Sequence, residues 1–136
     1  MTFSKNILYV VDDDHHFIFT LNRALKIQQY FDEVQFFDDP EDGLQALSDL
    51  SKRGDLKNQK TFLLLDITMP KYDGWEFLEA LREIREKKDF PLHIYIISSS
   101  IMEEDAVKAI SYPEVRAFLR KPITREKVLE ILELPV

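Results

Sequence analysis

The chain contains no cysteine. That absence excludes disulfides and thiolate metal sites, and it agrees with a cytoplasmic location. Also missing is any apolar run near the ~20 residues that a membrane-spanning helix requires. The first residues, Met1-Thr2-Phe3-Ser4-Lys5-Asn6, lead straight into a strand-like run, so no signal peptide is read. Positive charge is in deficit: 18 Lys and Arg face 25 Asp and Glu, a net charge of −7. Sequence-independent nucleic-acid binding needs basic surface to displace phosphate counterions, so direct contact with nucleic acid is not expected. What remains is an ordinary globular composition, 45% apolar and 32% charged. At 136 residues, the size prior gives one domain spanning 1–136.

Apolar runs alternate with amphipathic stretches five times. Ile7–Val11 reads as a first strand and ends in Asp12-Asp13-Asp14. The spacing of Phe17, Leu21, Ala24 and Leu25 predicts a helix from about His15 to Gln29. Val34–Phe37 is a second, shorter strand. Asp39 is placed as the N-cap of a second helix, with Pro40 at its first position and Leu44, Leu47 and Leu50 facing inward. A polar loop, Arg53 to Lys60, precedes a third strand at Thr61–Asp66. After Asp73-Gly74 a third helix carries Trp75, Leu78, Leu81 and Ile84 on one side. Its charged residues from Glu79 to Lys88 read as a solvated face with i,i+4 pairs. Leu92–Ile97 is a fourth strand ending in Ser98-Ser99-Ser100. A short helix near Glu103–Ile110, a fifth strand at Val115–Leu119 and a last helix from Thr124, stopping at Pro135, complete the chain. This alternation implies parallel βαβ units with helices on both faces, an α/β doubly wound fold. No second domain, repeat or low-complexity segment is read, and no room is left for an output domain.

Asp66 closes a short apolar run and is followed by Ile67-Thr68-Met69-Pro70 and Asp73-Gly74. In open α/β sheets, ligands bind outside the carboxyl ends of the strands. Asp12, Asp13, Asp66, Ser98 and Lys121 all fall at or just beyond such ends. Carboxylates crowded there raise one another's proton affinity. A hard divalent cation relieves that repulsion, and oxygen-only ligation suits Mg²⁺. A lysine and a hydroxyl opposite the acids suit an anionic oxygen. Together they describe phosphoryl transfer to Asp66.

Over about residues 5 to 134 the chain resembles a response-regulator receiver domain of two-component signalling. The matching pieces are Val10-Val11-Asp12-Asp13, Asp66-Ile67-Thr68-Met69-Pro70 with Asp73-Gly74, Ile97-Ser98-Ser99, and Phe118-Leu119-Arg120-Lys121-Pro122. The resemblance implies a five-stranded parallel sheet of flavodoxin-like (βα)5 type, strand order 2-1-3-4-5, and a signalling protein that is not a turnover enzyme. It implies Asp66 as phosphoacceptor, served by a sensor histidine kinase or a histidine phosphotransfer protein. Asp13 and Asp66 would ligate Mg²⁺ with the backbone carbonyl of Thr68, and Asp12 would hold a metal-bound water. Lys121 and Ser98 would contact the phosphoryl oxygens, and Phe118 would be the switch aromatic. The Lys121–Pro122 peptide would be cis. Output would pass to a downstream protein target, and pairing of two copies on activation stays open. Two departures stand out. Ser99 occupies a position commonly small, leaving the switch hydroxyl open between Ser98 and Ser99, with Ser98 preferred because it directly follows the strand. Ile110-Ser111-Tyr112-Pro113-Glu114 replaces the family's usual glycine-containing turn.

Blander readings apply to several residues. Asp14 reads as a helix cap, His93 as structural, and Trp75 and Phe77 as packing residues. His15 and His16 beside carboxylates raise a transition-metal site, but no third imidazole is near in sequence. Two rival functions differ in class. A haloacid-dehalogenase-type phosphatase or phosphotransferase would need a second acid two residues after the nucleophile, where Thr68 stands. A binding module independent of phosphorylation would not need the Asp13, Asp66, Ser98 and Lys121 set.

Overall fold

Three strands are buried along nearly their whole length: β1 (Lys5–Val11), β3 (Gln59–Asp66) and β4 (His93–Ser98). Strands covered by helices on both faces need continuous apolar runs, and Leu63-Leu64-Leu65 and Ile94-Tyr95-Ile96-Ile97 supply them. The edges are β2 (Glu33–Phe37) and β5 (Val115–Arg120), each half-exposed, with Glu33 and Gln35 on one and Arg116 and Arg120 on the other breaking the apolar run. The computed structural model describes residues 5–53, 56, 58–70, 73–100 and 102–133. Its five strands are all parallel and ordered β2-β1-β3-β4-β5, as expected. The expected loop positions 54, 55 and 57, the motif residues Lys71 and Tyr72, and the stop at Pro135 lie outside the described residues.

Alternation along each strand sends side chains to two cores. Ile7, Tyr9, Val11, Leu63, Leu65, Ile94 and Ile96 pack under α2 (Pro40–Ser51) and α3 (Gly74–Lys87). Leu8, Val10, Phe62, Leu64, Tyr95 and Ile97 pack under α1 (His15–Phe19) and α5 (Arg125–Ile131). Among the described residues, Phe62 and Phe77 are the largest fully buried side chains, one in each core. Burying such a side chain contributes roughly 1.5–3 kcal/mol. Trp75 and Phe77 are thus core residues, as read. Asp39 caps α2 by accepting from the Glu41 N–H, and Asp73 and Glu76 form a reciprocal capping box at α3.

The first helix departs from expectation. The first α-helix is only five residues long and passes into a π-helical turn at Thr20–Ala24, then a 3₁₀ turn at Ile27–Gln29. The Thr20 hydroxyl donates back to the His16 carbonyl, a bond that bends helices. The Leu25 N–H reaches the Thr20 carbonyl five residues back, so side chains beyond it rotate out of the 3.6 repeat. Ala24 is therefore exposed, and Ile27, beyond the left-handed Lys26 (φ 55°), fills the core instead. The last helix runs Arg125–Ile131 behind its Thr124 cap. Between these, α4 (Glu103–Ala109) contributes no buried residue.

The register aligns the carboxyl ends. Val11 lies opposite Leu65, Asp66 opposite Ile97 and Ser98 opposite Arg120. The ladder runs one step further: the Asp12 N–H donates to the Phe37 carbonyl at 3.0 Å and the Lys121 N–H to the Ser98 carbonyl at 2.8 Å. Backbone pairing therefore fixes where both side chains leave the sheet.

Candidate functional site

Asp12, Asp13 and Asp66 leave the carboxyl ends of β1 and β3 so close that one carboxylate oxygen from each lies within 4.8 Å of the others. Asp12 is fully buried, Asp66 is 4% exposed and Asp13 is half-buried. The Asp12 Oδ1 accepts from the Asp14 N–H at 2.9 Å. Lys121 enters from the end of β5 with Nζ 2.7 Å from Asp12 Oδ2, 3.7 Å from Asp14 Oδ2 and 3.9 Å from Asp66 Oδ1. The ammonium also lies 4.5 Å from the centre of the Phe17 ring.

Burial, and then the neighbouring Asp12 charge, push the Asp66 carboxyl up to about 7. Lys121 and the Thr68 N–H, which donates to Asp66 Oδ1 at 3.3 Å, pull the other way without prevailing. One ammonium shared by three acids does not neutralise them. Asp12 Oδ2 has the Lys121 ammonium as its ion-pair partner, and that ammonium is shared with Asp14 and Asp66. Two buried carboxylates and a half-buried third, in an oxygen-only set with surplus negative charge, suit a hard divalent cation. A cavity of about 320 Å³ lined by Asp13, Asp38, Asp39, Pro40, Met69 and Pro70 opens beside the set.

The remaining candidates take distinct places. Ser98 is the last residue of β4 and is 2% exposed, whereas Ser99 lies beyond the strand and is exposed. The Ser98 hydroxyl donates to the Ser100 carbonyl at 2.6 Å and accepts from the Ser100 N–H at 3.2 Å. Thr68 is exposed. Phe118, on β5, is half-buried against the α3 core, its ring centre 6.4 Å from that of Trp75. The Lys121–Pro122 peptide is cis, as the resemblance implied. Asp14 caps α1 through the Phe17 N–H, as read. His15 pairs with Asp38 at 3.0 Å in an exposed contact, and neither residue joins the acid cluster.

Three features escaped the sequence reading. Gly74 presses on the acceptor strand: a Cβ there would meet the Asp66 carbonyl oxygen and the Ile67 Cα, each at 2.8 Å. Its N–H donates to the Ile67 carbonyl at 2.9 Å. The sequence marks Asp73-Gly74 only as the approach to the third helix, and the close approach of backbone is a second use of the same glycine. Phe17 beside Lys121 is another, hidden because helical spacing marks it only as core. The third is Arg82, which belonged to the supposed solvated face. It instead bonds Glu114 and the Ser111 carbonyl across the α4–β5 connection, while Arg85 pairs with Asp89 at i,i+4. Sequence spacing reveals pairs within a helix, not a partner more than thirty residues away.

The family model described as "Response regulator receiver domain" matches residues 8–133. The chain belongs to the response regulator receiver domain family. Receiver domains are the signalling modules of two-component systems, and they bind Mg²⁺ at an acidic pocket. This receiver is 29% identical over 82 residues to the response regulator Rcp1 of Synechocystis, an alignment covering 59% of this chain and 54% of that protein. The match therefore spans about half the length of the curated relative. A two-component response regulator from Cytophaga hutchinsonii shares the fold with a TM-score of 0.76 at 20% identity, covering 96% of both chains. The receiver domain of the histidine kinase CKI1 from Arabidopsis thaliana, solved in complex with Mg²⁺, shares it with a TM-score of 0.74 at 22% identity, covering 97% of this chain and 93% of that one. Among the described residues, no helix is long and apolar enough to cross a membrane.

Proposed function

We propose that this receiver accepts a phosphoryl group on Asp66 from the phosphohistidine of a sensor kinase or phosphotransfer protein, and that the change is read by a downstream protein in the cytoplasm. The observation that carries this reading is the acid cluster of Asp12, Asp13 and Asp66 with Lys121 among its carboxylates. In the transfer, an Asp66 carboxylate oxygen forms the new O–P bond as the N–P bond to the donor imidazole breaks and its electron pair returns to the ring. Mg²⁺ would be held by Asp13, Asp66 and the Thr68 carbonyl, with Asp12 reached through water; when bound, it supplies charge neutralisation for acids and phosphoryl oxygens alike.

The rest is the chain's own work. Lys121 is already within the cluster, and its mobile stem lets it turn from Asp12 towards a phosphoryl oxygen. The Ser98 hydroxyl would exchange its Ser100 acceptor for that oxygen, and Phe118 would follow into the space the turn vacates. The Thr68 N–H, now on Asp66, steadies the carboxylate for attack.

Incubation with Mg²⁺ and acetyl phosphate tests the proposal through the intact mass of the protein. Wild type gains one phosphoryl group and Asp66→Ala gains none. Equal incorporation in both, or none in either, overturns it. Size-exclusion chromatography with and without beryllofluoride decides whether the activated partner is a second copy.

A further inference from the structure

Three rings form a row from β5 to the connection between α4 and β5. Phe118 stands 6.4 Å from Trp75, and Trp75 stands 5.1 Å from Tyr112, tilted by 32°. The Lys108 ammonium lies 5.7 Å from the Trp75 ring centre, and the Arg82 guanidinium lies 4.4 Å from that of Tyr112. Arg82 also grips the chain on either side of Tyr112. Its Nε and Nη2 donate to the two oxygens of Glu114 at 2.6 and 3.0 Å, and Nη2 donates to the Ser111 carbonyl at 2.6 Å. Glu79 completes the tie, accepting from Arg82 Nη1 at 3.2 Å and from the Tyr112 hydroxyl at 3.0 Å.

This tie matters because α4 has little else to hold it. None of its residues is buried, and Val107 and Ile110 are 63% and 80% exposed. The tie also reaches the acid site by a short physical path. Trp75 follows Gly74 directly, and Gly74 touches the backbone of Asp66 and Ile67 while donating to the Ile67 carbonyl. Backbone movement at the acceptor therefore meets the start of α3 and the first ring beside it. At its other end the row holds Phe118.

We propose that Arg82 is a latch fastening the Ser111–Glu114 segment to α3, and that phosphorylation of Asp66 releases it through the row Phe118–Trp75–Tyr112. The proposal rests on Asp66 as acceptor. The latch favours the unphosphorylated arrangement, so it subtracts from the apparent affinity for anything that binds the other one. Its release frees α4 to move, carrying with it the exposed Val107 and the adjoining Ile110.

Trp75 is the only tryptophan of the chain, so its emission reports the row directly. The test is a titration with beryllofluoride in saturating Mg²⁺, read by Trp75 fluorescence and by ¹⁹F NMR of the bound anion. Wild type changes emission as the anion binds. Arg82→Ala binds at several-fold lower beryllofluoride, and its free spectrum already lies nearer the bound one. Glu114→Gln moves the same way, and the double variant adds little, because both changes cut one link. Arg82→Lys keeps the charge but loses the fork and falls between. Titration midpoints unchanged in both Arg82→Ala and Glu114→Gln overturn the latch. So does ¹⁹F-detected binding that leaves Trp75 emission unmoved, while Asp66 as acceptor stands. Absence of any bound ¹⁹F signal in wild type removes the acceptor reading, and the latch falls with it.

Discussion

Lys121 Nζ lies 2.7 Å from Asp12 Oδ2, nearer than to any other acid of the cluster. The lysine is 11% exposed and its partner fully buried, so this is an internal ion pair. Removing one member of such a pair costs about 3–5 kcal/mol, because the other charge is left uncompensated. Lys121→Ala is expected to lose that much stability in chelator. A divalent cation replaces part of the missing charge, so Mg²⁺ should stabilise the variant more than it stabilises wild type. Urea denaturation in EDTA and in Mg²⁺ checks both; an equal Mg²⁺ increment in the two proteins would count against the site.

The titration of Asp66 gives a second expectation. Its carboxyl is raised in the fold to about 7 from an ordinary 3.8. A raised acid binds its proton more tightly folded than unfolded. Its contribution is therefore full below about pH 4 and is lost as pH rises through 7. Asp66→Asn should be more stable than wild type at pH 8 in chelator, by on the order of 2–4 kcal/mol, with the gap closing towards pH 4. Melting temperatures across that range test it, and a gap that widens at low pH would have the wrong sign.

Gly74 is expected to refuse a methyl group. The added Cβ would lie 2.8 Å from backbone atoms of Asp66 and Ile67, which have no flexible side chain to swing aside. Gly74→Ala should cost about 1–3 kcal/mol from this overpacking and weaken Mg²⁺ binding as well. Gly43→Ala is the useful comparison, because the Cβ there meets a methyl group of the Val11 side chain at 2.7 Å and not the backbone of the acceptor strand. It should lower stability with little change in Mg²⁺ affinity; calorimetric titration with Mg²⁺ separates the two.

Ser98 and Ser99 can be told apart. Ser98 is buried with its hydroxyl bonded to Ser100, while Ser99 is exposed. Ser98→Ala should slow phosphorylation by acetyl phosphate by roughly tenfold or more, the loss of one donor to the developing charge. Ser99→Ala should leave the rate within about twofold. The reverse order would move the switch hydroxyl to Ser99.

Much of this was legible in the chain itself. Apolar runs bounded by Asp12, Asp66 and Ser98 gave the strands, because a parallel sheet buried on both faces demands unbroken hydrophobicity. The acid site followed from the parallel register, which sets those strand ends side by side. Other features depended on geometry that no spacing encodes. The π-helical turn after α1 arises from a local contest for the His16 carbonyl, and it moved the buried position from Ala24 to Ile27. The Arg82 tie joins α3 to a segment distant in sequence, through side chains that helical periodicity assigns to solvent. The resemblance flagged Ser111–Glu114 as unusual, but only the folded chain shows what grips it.

The cluster of Asp12, Asp13 and Asp66 has a consequence for how this protein would evolve if left to stability alone. The acids repel one another in a place shielded from water, so neutral replacements at Asp13 and Asp66 make a sturdier fold, whereas Asp12 is retained by its buried pair with Lys121. A library selected only for heat resistance in chelator should drift towards Asn and Ala at positions 13 and 66, shedding the site first. Repeating the selection in Mg²⁺ should hold the acids in place.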